Sequence, residues 1–371
     1  MNLIYLNEAE MIQAGVRDMR KCMNTMEDMF KLLKTGDYRM GGENGNSHGV
    51  RIKFPDKHEF EGMPIAAPDR WFTSMPAYLG GRFKMVGIKT YGSNHDNVKK
   101  GLPRSILMLS LLDKDTGAPL AYMSANILSA MRTGAVAGLG VKYLAPENPR
   151  VLAVVGPGTM SRYAVESILT ACPQIEEIYV KGRGQENISR FIECCKNLPF
   201  AVKKYSVCST VKEACKTADI VFTGNTRART FEENPFLDEA EMKKGALIIS
   251  SSAFRLHKDF LEDRNLCVCV ADDDKMYQED FGVDAAPVRA EERESITFNV
   301  FLHRAVVENK NIVNMGDIIT SPGFQRDASK IYVYGAYGMP VEDVAWGFDC
   351  YQNALNCHIG TTLKLWDQSQ L

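Results

Sequence analysis

Apolar positions along this chain fall into two textures that change at Pro149. From Asn7 to Leu33, the residues Met11, Val16, Met19, Met23, Met26, Met29, Phe30 and Leu33 mostly follow helical spacing, which predicts one long amphipathic helix. Asn7 followed by Glu10 predicts a capping box at its start, because an Asn side chain can accept from the third helical N–H. The methionines read as core filler, being flexible and apolar. Residues 36–70 are rich in Gly, Asn, Pro and charge and read as loop, with one short strand at Val50–Phe54. Strands are predicted at Phe72–Ala77, Phe83–Tyr91, Ser105–Asp113 and Leu120–Ser124, with a hairpin turn in DKDTGAP at 113–119. A helix over Asn126–Tyr143 follows.

Beyond Pro149, short apolar runs alternate with helical segments: VLAVVG at 151, EIYVKG at 177, FAVKKY at 200, DIVFTG at 219, ALIISS at 246 and VCVADD at 268. Such runs, buried on both faces and separated by helices, predict a parallel sheet covered on both sides. After about residue 325, a strand, a glycine turn and a helix form a last element suited to pack on the N-terminal part. The fold class expected is therefore α/β, a nucleotide-binding-type domain plus an α+β domain. The boundaries read as 1–147, 148–325 and a return segment at 326–371.

Composition changes this picture mainly by exclusion. The 371 residues carry 44 basic and 46 acidic side chains, a formal net charge of -2, which argues against a broad electrostatic grip on nucleic acid or an anionic membrane. No apolar run approaches the ~20 residues of a membrane span, and the opening MNLIYLNEAEMIQAG meets acidic residues too early for a secretory signal. The ten cysteines form no CxxC, and the six histidines are scattered without metal-ligand spacing. The expectation is a cytoplasmic protein with reduced, mostly buried thiols and no metal.

The sharpest motif follows the strand at 151. Gly156-Pro-Gly158-Thr159-Met160-Ser161 opens a helix in a GxGxxS pattern. The first glycine permits a tight turn, the second lets backbone approach a pyrophosphate, and the small third residue lets helix and strand pack closely. The phosphates would sit at the helix N-terminus, where free N–H groups point outward. At the end of the next strand a carboxylate would favour the ribose hydroxyls of NAD. This chain has Lys181-Gly-Arg183 there, which favours NADP(H) over NAD(H), although Glu186 lies just downstream.

Three cations stand out before the change of texture. Lys89 ends an apolar strand, Arg132 sits in a helix of small and apolar residues, and Arg51 lies in HGVRIKFP. An arginine fork suits a carboxylate, and a desolvated lysine can exchange a proton near neutral pH.

The segments SMPAYLGGRFKMVGIKTYGSNHDN, SLLDKDTGAPLAYMSANILSAMRTGAVAGLG, VVGPGTMSRYAVESI and IYVYGAYGMPVEDVAWG, in that order, resemble the ornithine cyclodeaminase/mu-crystallin family. DRWFTSMPAYLGG, GIKTYGSNHDN and GLPR are most similar to its branch of dehydrogenases that oxidatively cleave N-(2-amino-2-carboxyethyl)-glutamate to 2,3-diaminopropionate and 2-oxoglutarate. The resemblance implies a Rossmann domain inserted into a substrate domain that also forms a homodimer. It implies Arg51 and Arg132 as binders of the substrate carboxylate, with Arg70 the alternative to Arg51, Lys89 as the active-site lysine, and Thr133, which follows Arg132, as a further substrate-binding residue. It also adds Thr223, Asn225 and Gly338 to the cofactor-binding residues. Two acids of the cyclodeaminases are replaced, one by Thr73 and one by Ala253-Phe254.

The resulting expectation is an NAD(P)H-dependent oxidoreductase acting on the C–N bond of an amino or imino acid. Its partners would be a small amino- or imino-acid substrate and a second copy of the chain. Ornithine or lysine cyclodeamination, and a non-catalytic NADPH-binding crystallin-like protein, are the alternatives.

Overall fold

Gly15 decides the first departure from the pattern. The computed structural model describes residues 1–67, 70–225, 228, 230–278, 294–308 and 312–369. After strand β1 (Asn2–Leu6) come two helices rather than one, α1 (Glu8–Gln13) and α2 (Met19–Thr35). Gly15 has φ 84°, a left-handed conformation open to a residue without Cβ, and the chain turns there. The capping box is present: the Asn7 side chain accepts from the Glu10 N–H, and the Glu10 carboxylate accepts from the Asn7 N–H. Met11, Met19, Met23, Met26 and Met29 are all buried.

Strands β2 (Tyr38–Met40), β3 (Val50–Ile52), β4 (Trp71–Leu79), β5 (Met85–Ser93), β6 (Ser105–Asp113) and β7 (Pro119–Ser124) follow, then helix α3 (Asn126–Leu144). Next come β8 (Val151–Val155), α4 (Thr159–Ala171), β9 (Glu177–Lys181), α5 (Gln185–Lys196), β10 (Lys204–Val207), α6 (Val211–Cys215), β11 (Ile220–Thr223) and β12 (Leu247–Ser250). The chain continues through β13 (Arg255–His257), α7 (Lys258–Glu262), β14 (Cys267–Ala271), β15 (Ser295–Thr297), α8 (Phe298–Val307), β16 (Val313–Asn314) and α9 (Met315–Thr320). It ends with β17 (Ile331–Gly335), α10 (Pro340–Asn356) and β18 (Thr361–Lys364).

These elements divide into two units. The first comprises Met1–Asp18, Thr35–Arg132 and Met339–Leu371, the second Met19–Lys34 and Thr133–Gly338. The first unit is α+β. Its sheet runs β18-β1-β7-β6-β5-β4-β2, with β3 also on β4, and only β1–β7 is parallel. Helix α10 packs on β4, β5 and β6. Pro340 in its first turn suits a position where no N–H is needed, and the Trp346 indole N–H donates to Val16 O at 3.2 Å.

The second unit is a doubly wound parallel sheet in the order β10-β9-β8-β11-β12-β17-β14-β16. Strands β11, β12 and β17 are buried along their whole length, which explains their continuous apolar runs. Two expectations shift. The strand read at 200 lies at Lys204–Val207, because Leu198–Val202 is taken up by tight turns after Pro199. The return segment read from 326 begins at Met339: β17 is inserted between β12 and β14, so Ile331–Gly335 belongs to the parallel sheet.

Candidate functional site

In the second unit the GxGxxS turn closes as the pattern requires. Gly156 has φ 87°, and a Cβ there would lie 2.6 Å from the Asn225 backbone nitrogen. The Ser161 hydroxyl donates to Gly156 O at 2.6 Å and is fully buried. A cavity of about 450 Å³ lies over this turn, lined among others by Gly156, Gly158, Thr159, Arg162, Lys181, Arg183, Arg190 and Asn225. Four cations and one carboxylate, Glu233, line it. Glu186 does not; its carboxylate accepts from Arg190 at 2.6 Å. The Lys181 ammonium donates to Ser209 O at 2.6 Å at the rim, and Arg183 is exposed. The Arg162 Nε is buried with no partner. A glycine cradle, a helix N-terminus and an unpaired guanidinium N–H fit a dinucleotide phosphate.

Not every expected cofactor residue faces this cavity. Ser161 secures the turn from behind, and Met160 is absent from the lining. Thr223 is buried and shares a hydrogen bond with the Ser250 hydroxyl, tying β11 to β12. That hydroxyl group network reaches the cavity wall through Ser252, whose Oγ donates to Asn225 Oδ1 at 2.7 Å. Gly338, φ 86°, offers its N–H to Asp272 Oδ2 at 3.4 Å, next to the Tyr337 N–H on the same oxygen.

The first unit holds a different kind of site. Lys89 and Arg132 are 2% and 5% exposed. β5 delivers the lysine and α3 the arginine; α10 brings Glu342 and Asp343, both fully buried, to meet them. Lys89 Nζ donates to Asp343 Oδ2 at 2.6 Å. Arg132 donates through Nε to Asp343 Oδ1 at 3.0 Å and through Nη1 to Glu342 Oε2 at 2.7 Å. Glu342 Oε1 accepts the Met339 N–H at 2.9 Å and so also caps α10. Two cations and two carboxylates thus share one buried site, and their mutual pairing offsets the cost of burying each charge.

The electrostatics follow. Burial, reinforced by the neighbouring Arg132 charge, lowers the Lys89 pKa to about 8 despite its ion pair with Asp343. Burial raises Glu342, with the adjacent Asp343 charge adding to it and Arg132 opposing. Burial also works against ionising Asp343, but Arg132 and Lys89 prevail and hold it below the usual carboxylate range. Against burial, the two carboxylates raise Arg132, which stays a cation.

Register places the remaining expected residues. Arg51 lies opposite Thr73, which lies opposite Tyr91; Met75 lies opposite Lys89. Directly paired residues share a sheet face, so Arg51, Thr73, Tyr91 and Lys89 are on one face. The Arg51 guanidinium is exposed and lies over the Trp71 ring at 5.3 Å. Arg70 is engaged elsewhere, donating to Ile65 O at 3.0 Å and lying 3.6 Å from Asp96. The structure therefore brings Arg51, not Arg70, to the Lys89 face. Thr133, the next residue after Arg132, falls in the second unit. Where the cyclodeaminases have an acid, Ala253 O accepts from Asn225 Nδ2 at 3.1 Å and Phe254 is buried against Phe298.

Sequence reasoning missed Glu342 and Asp343. The signal was present: two adjacent acids in GMPVEDVAWG, an otherwise apolar helix. One further group was unexpected. Asp238, Glu239 and His257 bring ligand-type atoms within 4.8 Å, but Asp238 caps the Ala240 N–H and Glu239 pairs with His257 at 2.7 Å. The described cysteines are all free thiols, and eight of the ten are buried. Among the described residues no helix is long and apolar enough to cross a membrane.

Comparison with known proteins places this geometry. The chain is 27% identical to N-((2S)-2-amino-2-carboxyethyl)-L-glutamate dehydrogenase of Staphylococcus aureus, over 98% of this chain and 99% of that one. The fold matches the Thermococcus litoralis Δ(1)-pyrroline-2-carboxylate reductase solved with NADH and L-proline, with TM-score 0.74 and 21% identity over 97% and 99% of the two chains. An archaeal alanine dehydrogenase dimer with bound NAD gives TM-score 0.74 at 24% identity, covering 99% of this chain and 100% of that one. The family model for ornithine cyclodeaminase/mu-crystallin matches residues 15–358. A Rossmann unit and an α+β unit bearing the buried Lys89–Arg132 cluster thus belong to a member of the ornithine cyclodeaminase/mu-crystallin family.

Proposed function

We propose that this protein is an NADP(H)-dependent oxidoreductase acting at the C–N bond of an N-substituted amino acid or its imine. The observation that carries this reading is the pairing of two chemistries in one chain: a cation-lined glycine-turn cavity and a buried lysine whose pKa lies at about 8. When bound, the nicotinamide supplies or accepts a hydride at the substrate α-carbon. Gly156, Gly158 and Thr159 would cradle the pyrophosphate, with Arg162 donating to it. Lys181 and Arg183 would face a 2′-phosphate, which a carboxylate at this place would repel.

Arg132 would bind the carboxylate of the reacting amino acid, with Arg51 as the second cation of that face. Glu342 and Asp343 fix the guanidinium so that its remaining N–H groups are pre-oriented, and orientation is where much of the rate comes from. Lys89 would take the amine proton during oxidation and return it to the imine nitrogen during reduction. Asp343 holds Lys89 Nζ in place in both protonation states. Thr73 and Ala253-Phe254 offer no carboxylate for a free diamine, which favours this reading over cyclodeamination. We further propose that the protein works in the cytoplasm as a homodimer through its first unit. The residues Phe72, Ile106 and Tyr122 on that unit's sheet are exposed, in keeping with a covered face.

The test is a spectrophotometric screen of amines against 2-oxo acids with NADPH, and of N-substituted amino acids with NADP⁺. Turnover in either direction is expected, lost in Lys89→Ala while NADPH affinity stays within about twofold. Release of ammonia and proline from ornithine without net cofactor change would instead identify a cyclodeaminase. Tight cofactor binding with no turnover across the panel would identify a binder.

A further inference from the structure

One residue of the nucleotide cavity does not suit an anion. Among the described residues Glu233 is the single carboxylate in the lining, set against Arg162, Lys181, Arg183 and Arg190. A carboxylate facing a phosphate opposes its binding, so Glu233 calls for a ligand group that donates. The extent of the cavity says which part of a dinucleotide lies nearby. Strand order puts β9 and then β10 on one side of β8, and the lining reaches Val211, at the start of α6 after β10. That side of the switch point takes the adenosine half, with Lys181 and Arg183 at the end of β9.

The segment that carries Glu233 follows β11 and is held by contacts that leave its side chain out. Asn234, 8% exposed, closes a turn: its N–H donates to Phe231 O at 3.2 Å, and its Nδ2 donates to Thr230 O at 3.3 Å and Phe231 O at 3.0 Å. Arg255 gathers the segment, donating from Nε to Asn234 O at 3.2 Å and from Nη2 to Glu232 O at 3.4 Å. Its guanidinium lies 4.9 Å from the centre of the Phe231 ring and 5.5 Å from that of Phe236. The Arg255 N–H also donates to Pro235 O at 2.7 Å, and its carbonyl accepts the Leu237 N–H at 3.0 Å. One arginine thus fixes the backbone on both sides of Glu233.

The adenosine half offers a carboxylate two kinds of donor, the ribose hydroxyls and the adenine 6-amino group. The ribose belongs with the end of β9, where Lys181 and Arg183 lie. Glu233 comes with Pro235 from the other side of β8, and Pro235 and Val211 are the apolar contribution of this part of the wall. Apolar side chains suit the faces of a purine, and the edge of adenine carries the 6-amino donor. We infer that Glu233 accepts from the adenine 6-amino group, so that the protein selects its dinucleotide by base, and that Arg255 is the positioning residue that sets Glu233. The inference rests on the proposed dinucleotide cofactor but not on its 2′-phosphate, since NADPH and NADH share adenine.

The test is a ratio of affinities, read by fluorescence titration of NADPH and of its deamino analogue, in which a carbonyl replaces the adenine amine. The parent protein should bind NADPH about tenfold more tightly than the analogue, because a carboxylate facing that carbonyl loses its donor. Glu233→Ala and Glu233→Gln should bring the two affinities to within about twofold, since neither side chain prefers an amine to a carbonyl as the carboxylate does. Arg255→Ala should lower the same ratio and leave the ratio of NADPH to NADH as in the parent, a separation that general loss of stability does not produce. Equal binding of the two bases by the parent overturns the inference. So does a ratio unchanged in the Glu233 variants, even where both dinucleotides bind more tightly, which makes Glu233 only a counter-ion to the cations. Loss of the ratio in Asn187→Ala but not in Glu233→Ala overturns it too, Asn187 being another acceptor in the lining. Tighter binding of NADH than NADPH, with base selection intact, sinks the NADP(H) preference alone. Failure to bind any of these dinucleotides sinks the cofactor reading and the base contact together.

Discussion

The cations of the two units live under different rules. Around the nucleotide cavity, Arg183 and Arg190 are exposed and Lys181 is half-buried, so water pays most of the cost of their charge. Their pairing is loose: Lys181 reaches a backbone carbonyl and Arg190 a neighbouring helix acid. Lys89 and Arg132 have no such recourse. Each is held by a buried carboxylate, and burial, with Arg132 adding to it and the two carboxylates opposing, lowers the lysine pKa to about 8. Exposed cations can gather phosphate by number alone, whereas buried ones act only through a geometry that others enforce.

The sharpest way to break this contrast is to remove one buried acid. Asp343→Ala removes the acid that Lys89 and Arg132 share, leaving Glu342 alone against two buried cations, and should cost roughly 3–5 kcal/mol of stability. Denaturant unfolding measures it. The double variant Lys89→Met with Asp343→Leu should recover most of that loss while remaining inactive. If Asp343→Ala is as stable as the parent, the cluster is not the charge-balanced unit described.

The second effect is in pH. Lys89 has a folded pKa of about 8, below the ordinary lysine value of 10.5. Between those values the unfolded chain holds more protons than the folded one, so this residue's contribution to stability rises with pH across that window. Catalysis should show the same group. Oxidation of the amine needs neutral Lys89, so kcat/KM should rise with pH and level off above about 8. Reduction of the imine needs the protonated form and should fall over the same range. Parallel profiles in both directions would remove Lys89 from proton transfer.

The exposed cluster should respond more gently. Lys181→Ala with Arg183→Ala should weaken NADPH about tenfold or more and leave NADH nearly unchanged, by fluorescence titration. No change in the NADPH-to-NADH ratio would assign the preference elsewhere. Smallest of all, Glu186→Ala breaks an exposed helical pair and should change neither melting temperature nor cofactor preference measurably. A selective loss of NADH affinity there would make Glu186 the ribose acid after all.

How far these sites were legible differs for the same reason. The nucleotide turn is local: a strand, a glycine turn and a helix adjacent in sequence, with Lys181 and Arg183 at the next strand end. The buried cluster is not local. Lys89 and Asp343 are 254 positions apart, and nothing in MVGIKTYG says which acid meets the lysine. Arg132 was conspicuous for its apolar helix, yet the pair that fixes it lay in a segment read only as a closing helix.

The sequence by itself determined what depends on neighbours along the chain. It set the alternating apolar runs of the parallel sheet, the capping box at Asn7, the hairpin at 113–119 and the glycine turn at 156. Tertiary structure alone decided what depends on distant segments meeting. It placed β17 inside the parallel sheet and moved the crossing to Met339. It put Arg51 on the Lys89 sheet face through strand register, turned Ser161 and Thr223 into the fold, and set two carboxylates of α10 against Lys89 and Arg132. Local pattern reports backbone preference and which face is apolar. The partner of a buried charge is chosen by packing, because only there does desolvation make an unpaired charge too costly to keep.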